Sequence, residues 1–78
     1  MSRRVIAVEA VDNRRLLVTF DNQEKRIFDV SAYLALPAFE PLRNSPDFYN
    51  VRVAQGTVVW AKDIDLCAET VYLKSVPM

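Results

Sequence analysis

Asp63, Asp65, Cys67 and Glu69 form the densest set of side chains in this sequence that could carry chemistry. Three carboxylates so close together can ligate a hard cation, which takes oxygen ligands. The spacing is not that of a calcium loop, however, and no glycine supplies the turn such a loop needs. Asp65 and Glu69 also suit a plainer role, because negative charge near a helix N-terminus offsets the positive end of the dipole. No metal and no cofactor are therefore expected. Cys67 falls at the expected cap of the last helix, where the helix N-terminus lowers a thiol pKa and Glu69 raises it. The plainer expectation is a small, partly buried side chain in a position that Ser or Thr would fill better. The chain has no histidine, which excludes histidine-based triads and acid–base catalysis. It also has no glycine-rich phosphate loop. No catalytic residue is assigned.

Basic residues occur in pairs, at Arg3-Arg4, Arg14-Arg15 and Lys25-Arg26. In an up-down-up meander the first and third pairs share one end of the sheet. Arg3, Arg4, Lys25 and Arg26 would then form a basic edge open to nucleic acid, diluted by Asp21 and Glu24. Charged strand ends also protect sheet edges from aggregation, and that reading competes with nucleic-acid contact. The totals support it: ten Lys plus Arg balance ten Asp plus Glu, and a neutral chain is no dedicated nucleic-acid or membrane-surface protein. Tyr33, Leu36, Pro37, Ala38 and Phe39 make an apolar run that can belong to the core. A small domain has more apolar residues than it can cover, so Tyr33, Leu36 and Phe39 are also a candidate partner-binding patch.

These residues need a frame. Arg4–Val11, Arg14–Phe20 and Gln23–Asp29 read as three strands of an antiparallel meander, turned at Asp12-Asn13 and at Asp21-Asn22. In the second strand Leu16, Val18 and Phe20 share one face, with Leu17 and Thr19 on the other. Asp29 or Ser31 can cap a short helix through Leu34. Pro37–Arg43 reads as a second short helix, bent by Pro41. Asn44-Ser45-Pro46 starts a single turn carrying Phe48 and Tyr49. Val51–Ala54 and Thr57–Trp60 form a hairpin with Gly56 at a positive φ. A polar corner at Lys62 and Asp63 leads to a helix from Cys67 to Lys74, and Val76-Pro77-Met78 is a frayed end.

The order β-β-β-α-α-β-β-α describes an α+β domain, with a three-stranded antiparallel meander, a β-hairpin and short helices on one side. The expected core is Val8, Leu16, Val18, Phe20, Phe28, Leu34, Phe39, Leu42, Phe48, Val51, Val53, Val58, Trp60, Leu66 and Tyr72. Trp60, the largest apolar side chain, should tie the hairpin and last helix to the meander. Seventy-eight residues make one domain. A single cysteine fits a reducing compartment. The short apolar run after Arg3-Arg4 is neither a signal peptide nor a membrane span. A cytoplasmic protein is expected.

Leu16, Val18 and Phe20, then Phe48, Gly56, Trp60, Asp65-Leu66, Glu69 and Tyr72, make a pattern that resembles domain-of-unknown-function family 2442. Its most specific part is Trp-x4-Asp-Leu-x2-Glu-x2-Tyr, and the resemblance covers nearly the whole chain. Trp60, Asp65, Leu66, Glu69 and Tyr72 are thereby marked as structural anchors. The sequence departs from the family pattern at Asn22, at Lys62-Asp63 and at Cys67-Ala68. The resemblance implies a small bacterial α+β fold without an established activity. Some relatives look like one half of a two-protein pair, which implies an antitoxin-like or regulatory role. The sequence thus points to a non-enzymatic module that binds another small protein or itself. A nucleic-acid accessory using the basic sheet end is the alternative.

Overall fold

The computed structural model describes residues 3–60 and 64–78. Strands β1 (Val5–Ala10), β2 (Arg15–Phe20) and β3 (Lys25–Asp29) form the antiparallel meander. Side chains build both of its turns. Asp12 Oδ1 accepts from the backbone N–H of Arg14 and of Arg15, each at 3.0 Å. In the second turn Asn22 Oδ1 accepts from Glu24 N at 3.0 Å, and Gln23 takes the positive φ of 72°. Asn22 therefore works through its side chain, and the left-handed backbone falls one residue later, in a three-residue loop.

Helix α1 (Ser31–Leu34) has Val30, not Asp29 or Ser31, at its N-cap and no side-chain cap; Asp29 Oδ1 accepts from Ser31 N at 2.8 Å in the turn that leads into it. Two 3-10 turns follow, Pro37–Leu42 and Pro46–Asn50. Each opens on a proline, whose fixed φ suits a first helical position. Ser45 caps the second by accepting from Asp47 N. The expected helix over Pro37–Arg43 is thus a 3-10 segment, held short by Pro41.

Strands β4 (Arg52–Ala54) and β5 (Thr57–Trp60) form the expected hairpin, with Gln55 and Gly56 both at positive φ. That is the primed turn whose twist matches paired strands. Gly56 O accepts from Val5 N at 2.9 Å, which docks the hairpin tip on β1. A Cβ on Gly56 would lie 3.0 Å from the guanidinium carbon of the exposed Arg4 side chain, which is free to swing aside, so it is the positive φ of 76° that favours glycine here.

Two strands were not expected. β6 (Ile64–Leu66) pairs with β5 and completes a β4-β5-β6 sheet. β7 (Val76–Pro77) follows helix α2 (Ala68–Lys74) and pairs with β3, giving the order β1-β2-β3-β7. The expected frayed end is therefore a short edge strand, since Val76 and Pro77 pair with Ile27 and Arg26.

The two sheets and α2 enclose one core. Leu16, Val18, Phe20 and Phe28 enter it from the meander, Val58, Trp60, Ile64 and Leu66 from the second sheet, and Ala68 and Val71 from α2. Trp60 lies at its centre, 1% exposed, and its Nε1 donates to Phe48 O at 2.9 Å. Its ring packs against those of Phe39 and Phe48. Val5, Val30, Ile64, Ala68 and Val71 are core residues beyond the expected list. Val8, Leu34, Val51, Val53 and Tyr72 pack against the core only partly buried.

Candidate interaction face

Alternation along the meander gives the four-stranded sheet two unlike faces. Leu16, Val18, Phe20, Phe28 and Arg26 turn inward, toward α2 and the second sheet. The alternate residues turn outward. Register places Glu9, Leu17, Ile27 and Val76 side by side in one row across four strands. On one side of that row lie Val11, Arg15 and Asp29, and on the other Ala7, Thr19, Lys25 and Met78. Leu17 and Ile27 are half-buried, Val76 is 60% exposed, and Val11 and Met78 are exposed. α2 and the second sheet lie on the inner face, and the outer face is left to solvent with an apolar middle and charged flanks.

Both open edges of the sheet are unsuited to strand pairing. β1 carries an irregularity between Val5 and Ala7 and is met there by Gly56. On β7, Met78 N donates to Lys25 O, so alternation turns the Pro77 nitrogen toward the open edge. Proline has no N–H to offer there, and bulges and prolines are the usual guards of an edge.

The expected basic edge is divided. Adjacent residues on a strand face opposite ways, so Lys25 points outward while Arg26 points inward. The Arg26 side chain is only 12% exposed. It donates to Ser75 Oγ at 2.6 Å and Ser75 O at 2.9 Å, pairs with Glu24, and lies 4.3 Å from the centre of the Tyr72 ring. Arg3 lies on the same ring at 3.9 Å. Arg4 is exposed beside Gly56. The structure thus brings Arg3 and Arg26 together on Tyr72 and sends Arg4 and Lys25 elsewhere. Tyr72 also donates to Glu24 Oε1 at 2.8 Å and meets Phe20 edge-on. The Tyr72 hydroxyl, the Arg26 guanidinium and the Asn22 amide hold the Glu24 carboxyl below its ordinary pKa. This polar cluster closes α2 onto the sheet. Glu24 and Ser75 were missed as its members because they are remote from Tyr72 or small, and the two-residue spacing of Glu24 and Arg26 was the only local sign.

The Tyr33, Leu36 and Phe39 patch is likewise divided. Phe39 is buried against Trp60, so it packs the core and cannot meet a partner. Leu36 is exposed and Tyr33 half-buried; with Asp29, Ala32 and Lys74 they line an open recess. Arg43 fastens this turn by donating to Leu34 O at 2.7 Å. Of the expected anchors, Trp60 and Leu66 are buried and Tyr72 is bonded as described, whereas Asp65 and Glu69 are exposed. Asp65 lies in β6, opposite Val59, and not in the first turn of a helix; Glu69 does lie in that turn. Asp63 lies outside the described residues. Among the described residues no group of three potential ligands forms a metal site.

Cys67 is the N-cap of α2 but is exposed, not partly buried. Its Sγ lies 3.1 Å from Thr70 Oγ1, and bonding to Thr70 lowers the thiol pKa more than the Glu69 charge raises it. Among the described residues no helix is long and apolar enough to cross a membrane.

Neither the curated proteins nor the solved structures contain a match to this chain. Trp60 and Leu66 lie in the core with Leu16, Val18 and Phe20 of the meander, and Tyr72 packs against it. The family model described as a protein of unknown function (DUF2442) matches residues 5–77, and the chain belongs to that family.

Proposed function

We propose that this chain is a non-enzymatic interaction module that docks through the outer face of its four-stranded sheet. The observation that carries this reading is the row Leu17, Ile27 and Val76, an apolar strip across three strands on the face away from α2 and the second sheet, in which Leu17 and Ile27 are half-buried and Val76 is exposed. A chain this small gains little by leaving such residues in water unless something covers them. The family resemblance extends the reading to an antitoxin-like or regulatory member of a two-protein bacterial pair, working in the cytoplasm. The exposed, single Cys67 fits that reducing compartment. A nucleic-acid role finds less support, because Arg26 is committed to Glu24, Ser75 and Tyr72 and Lys25 points to the opposite face.

The test is co-expression with the protein encoded beside it, followed by isolation of the complex. Ile27→Arg should abolish the complex while Trp60 fluorescence stays that of a buried indole. A complex that survives Ile27→Arg, or salt-dependent binding of the chain to DNA, would remove the outer face from its proposed role.

A further inference from the structure

We infer that the outer face is self-complementary and that, in the protein alone, a second copy of this chain occupies it in a face-to-face dimer. This rests on the reading of that face as a docking surface and names its occupant. The argument begins with spacing along β3. Lys25 and Asp29 each lie two residues from Ile27, on the same outward face, one on either side of the apolar row. A two-fold axis running along the row leaves Leu17, Ile27 and Val76 opposite themselves. It also exchanges the two flanks, so Asp29 of one copy faces Lys25 of the other, and the reverse holds by symmetry. The other flank residues oppose compatibly: Arg15 meets Thr19, and Val11 meets Ala7.

The same axis stacks the strands of the two copies in line, which is the aligned mode of sheet packing, turned by about 30° and with the sheets about 10 Å apart. A lysine and an aspartate at the rim can span that gap. Lys25 has no ion-pair partner among the described residues, so its charge is available to a second copy. The balance of ten basic and ten acidic residues leaves no net repulsion between copies. Edge pairing through the four-stranded sheet, a competing route to self-association, is disfavoured by the β1 irregularity and by Pro77. One residue opposes the arrangement: Glu9 lies on the axis at the end of the row and meets its own copy.

Sedimentation of the purified protein over a range of concentrations tests this. The wild-type chain should show a monomer–dimer equilibrium, and Ile27→Arg should be monomeric. Lys25→Asp and Asp29→Lys should each weaken the dimer, by roughly five- to thirtyfold, because each places like charges opposite. An equimolar mixture of those two variants should recover a dimer, since positions 25 and 29 are then both acidic in one copy and both basic in the other, and each faces its opposite. Asp29→Asn retains an acceptor for Ser31 N and should show a smaller weakening, which separates charge from folding. Glu9→Gln should tighten the dimer. A wild-type chain that is monomeric throughout, or a dimer indifferent to Ile27→Arg and to both charge reversals, overturns the inference. If the wild-type chain is monomeric but Ile27→Arg still abolishes the two-protein complex, only the second copy is ruled out and the docking face stands.

Discussion

The inner and outer faces of the meander are built from alternate residues of the same strands, yet they do different work. Leu16, Val18 and Phe28 inside are fully buried beneath α2 and Trp60, and Leu17 and Ile27, their neighbours in sequence, lie outside and half-covered. The inner face binds the chain to itself, with aromatic rings filling the space and Arg26 satisfying polar groups at the end of α2. The outer face has apolar character without a cover in the same chain. The difference teaches that apolar residues at both parities of a strand pair report two separate demands, one for folding and one for association. Substitutions should separate those demands cleanly.

The largest effect belongs to the inner face. Phe28→Ala should lose about 3–5 kcal/mol of stability, since it deletes a ring from a site that is 0% exposed. Chemical denaturation followed by Trp60 fluorescence measures this. Arg26→Met should cost about 1–3 kcal/mol, because Ser75 O and Oγ lose their donor in a partly buried place. A cost near zero there would mean that the polar cluster does not close α2.

Acid should weaken the same closure. The Glu24 carboxyl has its pKa depressed by the Tyr72 hydroxyl first, then by Arg26 and Asn22. A depressed folded pKa supplies stability that is present above the ordinary glutamate value and lost as pH falls through the folded one. Asp12 and Asp29, also lowered, act in the same direction. Melting temperature should therefore drop on acidification, and Glu24→Gln should be less stable at neutral pH but flatter toward acid. Smaller still, Cys67→Ser should stabilise α2 by about 0.5–1 kcal/mol, because a hydroxyl caps a helix better than a thiol. Thermal unfolding of the two proteins side by side decides it. Ile27→Arg marks the other end of the comparison. Its effect on the monomer should stay within about 1 kcal/mol, as the arginine stem replaces part of the lost apolar contact. A large loss of monomer stability would show that the outer face serves the fold.

Much of this was legible from the chain alone, for local reasons. Leu16, Val18 and Phe20 announce a face by period, Gln55-Gly56 announces a primed turn, and the prolines at 37 and 46 announce helical starts. The short strands were not legible. Ile64–Leu66 has only three residues, and Val76–Pro77 contains a proline, so neither has enough length to show a period; their partners in β5 and β3 make them strands. The basic edge misled because charge was counted by sequence neighbourhood, whereas Lys25 and Arg26 turn to opposite sides. Phe39 misled because an apolar run between helices looks the same in sequence whether Trp60 lies beneath it or not.

The sequence by itself determined the α+β class, the meander, the hairpin and a core centred on Trp60. Those follow from alternation, turn residues and size, all of which act over a few neighbouring positions. Tertiary structure alone decided that Glu24, Arg26, Tyr72 and Ser75 form one cluster. It alone aligned Leu17, Ile27 and Val76 across three strands, with Asp29 and Lys25 on either side. These groupings depend on register and on which strands become neighbours, and register is set by the packing of the whole domain.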